Sequence, residues 1–261
     1  MTISLGLMMF PALMILIFIG FPVAFSLFGV AVLFGYIRFG DVLVHQLIAK
    51  VDDVASYYVL SAVPLFIFMG CMLEKSGVSE KLFEAVHLVT RKLPGGLAIA
   101  TVVLCVFFAA ASGVVGAAES VVGLMVISVM LRHGYDKGLI SGTICAGGSL
   151  GTIIPPSVVV VILSPIAGVG VGNLFVGIMF PGLILAGLYI VYILLRCSIW
   201  PEDGPSVDNG ESYGSIASQT WVVFSSLVPL FGLIFSVLGT IMLGWATPTE
   251  AGAMGAIGTI I

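Results

Sequence analysis

The chain has 261 residues, of which 60% are hydrophobic and only 8% charged, and its mean hydropathy is +1.24. A soluble domain carries about 25% charged residues and needs them to coat its surface. Nine Lys and Arg stand against thirteen Asp and Glu, a net charge of −4, with no basic block to follow a phosphate backbone. A soluble enzyme, a nucleic-acid binder and a disordered chain are therefore excluded, and the lipid bilayer is the solvent for most of the chain.

The apolar N-terminus lacks the basic region and cleavage site of a signal peptide, so it reads as a first membrane segment. Leu5 to Ile37 exceeds one span and is punctuated by Pro11, Gly20 and Pro22. It is one long tilted helix or two closely spaced ones. Asp41 to Tyr58 mixes His45, Lys50, Asp52 and Asp53 with aliphatics, which predicts an interfacial amphipathic helix. Val59 to Leu73 is a short apolar span around Pro64. Glu74 to Leu93 spaces Leu82, Val86 and Val89 helically among charges and reads as a second interfacial helix, closed by Pro94-Gly95-Gly96.

The next two apolar blocks are interrupted at their centres. Leu97 to Met130 breaks at Ala111-Ser112-Gly113-Val114-Val115-Gly116-Ala117, and Leu139 to Ala167 at Gly151-Thr152-Ile153-Ile154-Pro155-Pro156-Ser157. Lys75, Lys81, Arg91 and Lys92 precede the first block, and Arg132 and Lys137 follow it, so the positive-inside rule puts both flanks in the cytoplasm. The block is short for two spans and a turn, and a re-entrant hairpin with its tip at Ser112-Gly113 fits better. Leu174 to Leu195 is an ordinary span that Arg196 returns to the cytoplasm. Ser198 to Gln219 is a polar loop, and Trp221 to Trp245 a span bracketed by interfacial tryptophans. Ala246-Thr247-Pro248-Thr249-Glu250-Ala251-Gly252 follows, and the apolar ending at Ile261 is read as a truncation.

Non-helical backbone at membrane depth is tolerated only where it lines a protein-buried cavity, and secondary transporters place ion and substrate sites there. Ser112, Ser149, Thr152 and Ser157 supply hydroxyl oxygens, hard ligands suited to Na⁺. The bland alternative is helix kinking by Pro and Gly, with the hydroxyls bonded back to their own helix. Glu119, just past the hairpin tip, is a coupling-ion ligand or proton carrier, or else a partly hydrated carboxylate facing a polar neighbour. Gly147-Gly148-Ser149-Leu150-Gly151-Thr152 lacks the Lys of a phosphate loop. Cys71, Cys105, Cys145 and Cys197 have no C-x-x-C spacing and read as packing residues, and His45, His87 and His133 lie at polar margins. No metal set beyond Na⁺ and no catalytic residue is expected. An intramembrane enzyme would show paired ionisable groups in its spans, and a channel a continuous polar stripe; neither pattern is present.

At these breaks the sequence resembles the large membrane subunit of the tripartite ATP-independent periplasmic (TRAP) transporters, the dicarboxylate-type M subunit. The resemblance runs along the whole chain and is carried by Val63-Pro64-Leu65-Phe66-Ile67-Phe68-Met69-Gly70, Ser112-Gly113, Gly151-Thr152-Ile153-Ile154-Pro155-Pro156-Ser157, Phe180-Pro181-Gly182 and Ala246-Thr247-Pro248-Thr249-Glu250-Ala251. It implies an all-α polytopic membrane protein with an inverted-repeat, elevator-type fold. Scaffold spans and interfacial helices would occupy 1–93 and a transport domain 94–168, made of a re-entrant hairpin (97–131) and a broken helix (139–167). Further spans would fill 174–245 around the loop 198–219, with the start of a truncated second repeat at 246–261.

The implied function is Na⁺-coupled uptake of an organic acid across the bacterial inner membrane, with no cofactor besides the coupling ion. The implied partners are a small four-helix membrane subunit and a periplasmic substrate-binding protein; the alternative is an ion-coupled anion transporter of related fold working without a binding protein. The substrate is expected at Ser112, Gly113, Pro155, Pro156 and Ser157, and Na⁺ at Ser112, Gly116, Glu119, Ser149, Gly151 and Thr152. Related hairpin tips often read Ser-Gly-Ser-Ser; here Val114 and Val115 remove two hydroxyls, and Glu119 is the candidate to replace those oxygens.

Overall fold

A computed structural model describes residues 2–113, 115–206 and 228–260. Val114, the 207–219 part of the predicted loop and Trp221 lie outside the described residues. No strand occurs among those described. The chain forms two compact units, Met1–Tyr57 and Tyr58–Ile261.

In the first unit the long N-terminal apolar run is two helices, α1 (Thr2–Ile19) and α2 (Val23–Phe39). The turn falls where Gly20 takes a left-handed φ of 101° and Pro22 starts the next helix. The expected interfacial helix follows as α3 (Val42–Ala55). Ser26, Val30 and Leu43 are buried, while Phe10, Phe18, Phe21, Phe25 and Phe28 are exposed. Such a surface of aromatic and aliphatic side chains suits a lipid solvent rather than water.

The second unit begins with a 3₁₀ turn (Tyr58–Ser61) leading into α4 (Ala62–Lys75) and then α5 (Val78–Thr90). The first interrupted block is an antiparallel pair, α6 (Gly96–Ser112) and α7 (Val115–Arg132). The second is α8 (Lys137–Ile153) and α9 (Val158–Ala167), bent by 42°. Next come α10 (Val171–Ile199), α11 (Val228–Met242, with a π-helical stretch at Phe235–Gly239) and α12 (Pro248–Gly258). Among the described residues, Tyr58–Lys75 and Val171–Ile199 are each long and apolar enough to cross a membrane, and α8 with α9 makes a third span if counted as one.

Helix α8 packs against both arms of the α6–α7 hairpin, and α10 crosses α6, α8 and α9. Close approach is achieved with glycine, as expected where lipid offers no hydrophobic drive between helices. Cβ atoms at Gly252 and Gly255 of α12 would stand 3.3 Å from Leu65 Cβ and 2.5 Å from Met69 Sδ of α4. Two of the motif segments are thus one packed joint, with Ala62, Phe66 and Met69 fully buried beneath it. Thr247 caps α12: its hydroxyl accepts from the Glu250 N–H at 3.3 Å, and the Glu250 carboxylate accepts the Thr247 N–H at 2.8 Å.

The flank before α6, the α7–α8 turn and the end of α10 meet at one end of this unit. Gly95 N–H donates to Gly204 O and Asp136 N–H to Asp203 O, both at 3.0 Å. Leu97 N–H donates to the Tyr135 hydroxyl at 3.2 Å. Arg196 Nε donates to Asp203 Oδ2 at 2.9 Å, with its Nη2 3.9 Å from Asp136. The start of the polar loop is therefore folded back onto the helix ends. Gly255→Leu should drive a side chain into Met69 and Val237 and cost about 1–3 kcal/mol. Thermal unfolding in detergent would show the loss, and Gly252→Ala, whose contacts begin at 3.3 Å, should be milder.

Candidate functional site

Helix α6 ends because Gly113 turns left-handed (φ 62°), its N–H donating to Ala109 O at 3.0 Å. Helix α8 ends for a different reason. Pro155 disfavours helical geometry at the residue before it, and Ile154 is extended with ψ 122°. Pro155 and Pro156, joined by a cis peptide, have no N–H to offer the last α8 carbonyls. The break is narrower than the sequence suggests. Gly151, Thr152 and Ile153 remain in the last turn of α8, and only Ile154 to Ser157 leave the helix.

The two breaks lie against each other. Val158 N–H, the first of α9, donates to Gly113 O at 3.3 Å. A Cβ at Gly113 would overlap the Pro156 carbonyl oxygen and sit 3.3 Å from Ser157 Cα. Gly113 is thus required twice, by its positive φ and by this contact. Ile154, Pro155, Pro156 and Ser157 are all buried. Ser157 is fully buried, yet its Oγ has no hydrogen-bond partner, although Ser157 stands at the N-cap of α9. Four helix ends converge here: the N-termini of α7 and α9, and the C-termini of α6 and α8. N-termini carry roughly half a positive charge and C-termini roughly half a negative one, so the junction offers ground for an anion and a cation side by side.

Helix α10 braces the break. A Cβ at Gly182 would be 3.0 Å from Ile153 Cγ2 and 3.2 Å from Ile154 Cγ1. This contact explains the Phe180-Pro181-Gly182 segment.

Glu119 lies in the second turn of α7, half-buried. Its side chain runs flat across α8, so that a Cβ at Gly148 would overlap the Glu119 Cγ and carboxylate. One residue away, a Cβ at Gly147 would be 2.6 Å from the Cys105 Sγ of α6. Glutamate and glycine therefore interlock about 7.5 Å along α8 from the break. Gly116 sits in the first turn of α7, and Ser112 is the last residue of α6. Ser149 Oγ donates to Ala146 O and Thr152 Oγ1 to Ser149 O, both at 2.7 Å. Both hydroxyls bond back to α8, each oxygen keeping lone-pair capacity. The sequence reading passed over Thr143, which is 5% exposed with its Oγ1 unpartnered. Its one visible signal is its i−4 spacing from Gly147, on the same face of α8.

An all-α unit with helices of membrane-crossing length and two interrupted helices joined at their breaks has the architecture of a membrane transporter. Residues 10–261 match the family model described as tripartite ATP-independent periplasmic transporter, DctM component. The C4-dicarboxylate TRAP transporter large permease protein DctM of Vibrio cholerae is 34% identical over 92% of this chain and 51% of its own length. The protein of the same name in Pseudomonas aeruginosa is 34% identical over 82% of this chain and 48% of its own length. The isethionate TRAP transporter permease protein DctMQ of Oleidesulfovibrio alaskensis is 30% identical over 91% and 36%. The chain belongs to the DctM-component family of TRAP transporters, whose members are named as transporter permeases rather than enzymes. It spans about half the length of the first two relatives.

The Glu119–Gly148 interlock has a signature. Gly→Ala inside a helix ordinarily stabilises by about 0.5–1 kcal/mol. Gly148→Ala should instead destabilise, and Glu119→Ala in the same chain should restore the ordinary sign. Thermal unfolding of the four variants should give a coupling energy of about 1–3 kcal/mol, and an additive result would refute the interlock.

Proposed function

We propose that the chain contributes to Na⁺-coupled uptake of an organic acid across the bacterial inner membrane, as part of a TRAP large permease. In this reading a periplasmic binding protein delivers the acid and a small four-helix membrane subunit completes the assembly. The observation that carries the reading is the meeting of the two breaks at Gly113 and Pro156-Ser157. The substrate carboxylate approaches the N-terminus of α9 beyond Pro155-Pro156, close to Ser112-Gly113, where partial positive charge and buried Ser157 await it. Na⁺ occupies the opposite polarity, at carbonyls ending α6 and α8, with Gly116, Ser149, Gly151 and Thr152 nearby and Glu119 as the charged ligand. An unpartnered buried hydroxyl costs stability in the absence of a ligand, which supports Ser157 as a contact residue. Family membership does not choose the acid, because the relatives are named for C4-dicarboxylate in two cases and isethionate in the third. The name DctMQ, on a relative of which the matched part is 36%, supports a second membrane component. Transport follows as an elevator movement of the hairpin and broken helix against the remaining spans.

Proteoliposomes carrying the assembled transporter should accumulate organic acid only with an inward Na⁺ gradient and added binding protein. Uptake driven by internal ATP alone would refute ion coupling. Uptake undiminished without the binding protein would favour a transporter that works alone. Ser157→Ala should raise ligand-free thermal stability by about 1 kcal/mol or more, since it removes a buried hydroxyl that has no partner, but weaken substrate or Na⁺ binding roughly tenfold. Glu119→Gln should reduce Na⁺ affinity, and Val114→Ser with Val115→Ser in that background should restore it. Titration calorimetry would read both, and a Glu119→Gln chain with unchanged Na⁺ dependence would remove Glu119 from the ion site.

A further inference from the structure

The end of α10 remote from the break carries a polar cluster that the transport reading does not use. Helix α10 is 29 residues long, about 43 Å, against a hydrocarbon core of about 30 Å. Its last turns therefore emerge into the headgroup layer. Arg196 is the only charged residue in this helix, with Tyr192 one turn before it and Trp200 at its C-cap. Tyrosine and tryptophan favour that layer.

A groove of about 550 Å³ opens here, lined by Tyr192, Leu195, Arg196, Ile199, Trp200 and Asp203. Its two chemistries are separated. Leu195, Ile199 and Trp200 are all more than half exposed and form an apolar wall. The Arg196–Asp203 pair forms the polar end, with both side chains about 30% exposed. Arg196 Nη1 donates to the Tyr192 hydroxyl oxygen at 3.2 Å, which leaves the phenolic O–H free to donate outward. Two donors for a phosphate, the Tyr192 O–H and the spare guanidinium N–H groups, thus stand beside carboxylates that accept from a cation. Arg196 is flanked by both Asp203 and Asp136, so the cluster's formal charge is −1. A purely anionic headgroup meets net repulsion there, whereas a zwitterionic headgroup with a hydrogen-bonding ammonium satisfies both signs.

We propose that this groove is a binding site for an ammonium-bearing zwitterionic phospholipid of the phosphatidylethanolamine type. Its phosphate lies on Arg196 and Tyr192, its ammonium on Asp203, and an acyl chain along Leu195 and Ile199. The Arg196–Asp203 pair fixes the turn after α10, whose Asp203 and Gly204 carbonyls accept from Asp136 before α8 and Gly95 before α6, so a bound headgroup seals a joint already present in the protein.

The test uses the assembled transporter in nanodiscs holding phosphatidylethanolamine, phosphatidylglycerol and phosphatidylcholine in equal amounts, with retained lipid counted by native mass spectrometry. Phosphatidylethanolamine should be retained over both competitors, because phosphatidylglycerol lacks the cation and the trimethylated ammonium of phosphatidylcholine cannot donate. Tyr192→Phe, which keeps the Arg196–Asp203 pair, should lower its occupancy about tenfold. Asp203→Asn should shift the preference toward phosphatidylglycerol. Soluble glycerophosphoethanolamine should fail to displace the lipid, and displacement would mean that the headgroup alone is bound. Phosphatidylglycerol retained equally or better in the unaltered protein, or unchanged occupancy in Tyr192→Phe, would overturn the proposal, as would a partner subunit found filling the groove.

Discussion

Backbone amides have no water to bind at the centre of a bilayer, so an interrupted helix persists there only if something else satisfies its exposed ends. Here the two interruptions share one such bond. The carbonyl that Gly113 frees by ending α6 receives the first N–H of α9. The prolines that end α8 need no partner for their own nitrogens. The rest of the second unit follows from holding these turns in contact. Helix α8 lies against both hairpin arms, α10 presses Gly182 onto Ile153 and Ile154, and the Gly95–Gly204 and Asp136–Asp203 bonds close the far end.

Glycine performs different tasks along this chain. At positions 20, 95 and 113 it supplies a positive φ that other residues resist. At positions 148, 182 and 255 it is helical and serves as a recess for a neighbour's side chain. The first use bends the chain and the second lets helices approach in a medium that supplies little other attraction.

The local punctuation was readable from residue types. Gly20 with Pro22, Pro94-Gly95-Gly96, Gly113 and Pro155-Pro156 all mark helix ends, because proline and glycine act through their own backbone. Residue type was a poorer guide at Gly151 and Thr152, which stay helical because the extended geometry is imposed only from Ile154 onward. Pairings between distant segments could not be read. Nothing in the sequence links Gly148 to Glu119, or Gly252 to Leu65, since a recess is defined by what fills it. The polar composition of the 198–219 segment suggested a solvated loop, but its first residues are fixed by Arg196 through a contact seven residues away. The Thr247 cap was legible in principle, as Thr-x-x-Glu ahead of an apolar run.

The Gly113–Val158 bond joins segments that no short loop connects, and its two ends belong to separately interrupted helices. Parting them would strip an amide and a carbonyl of their partners among buried residues, where an unpaired polar group is costly. The hairpin and the broken helix therefore share one mechanical fate. Whatever strain reaches one turn is passed to the other, and the pair behaves as a single stiff element within the second unit.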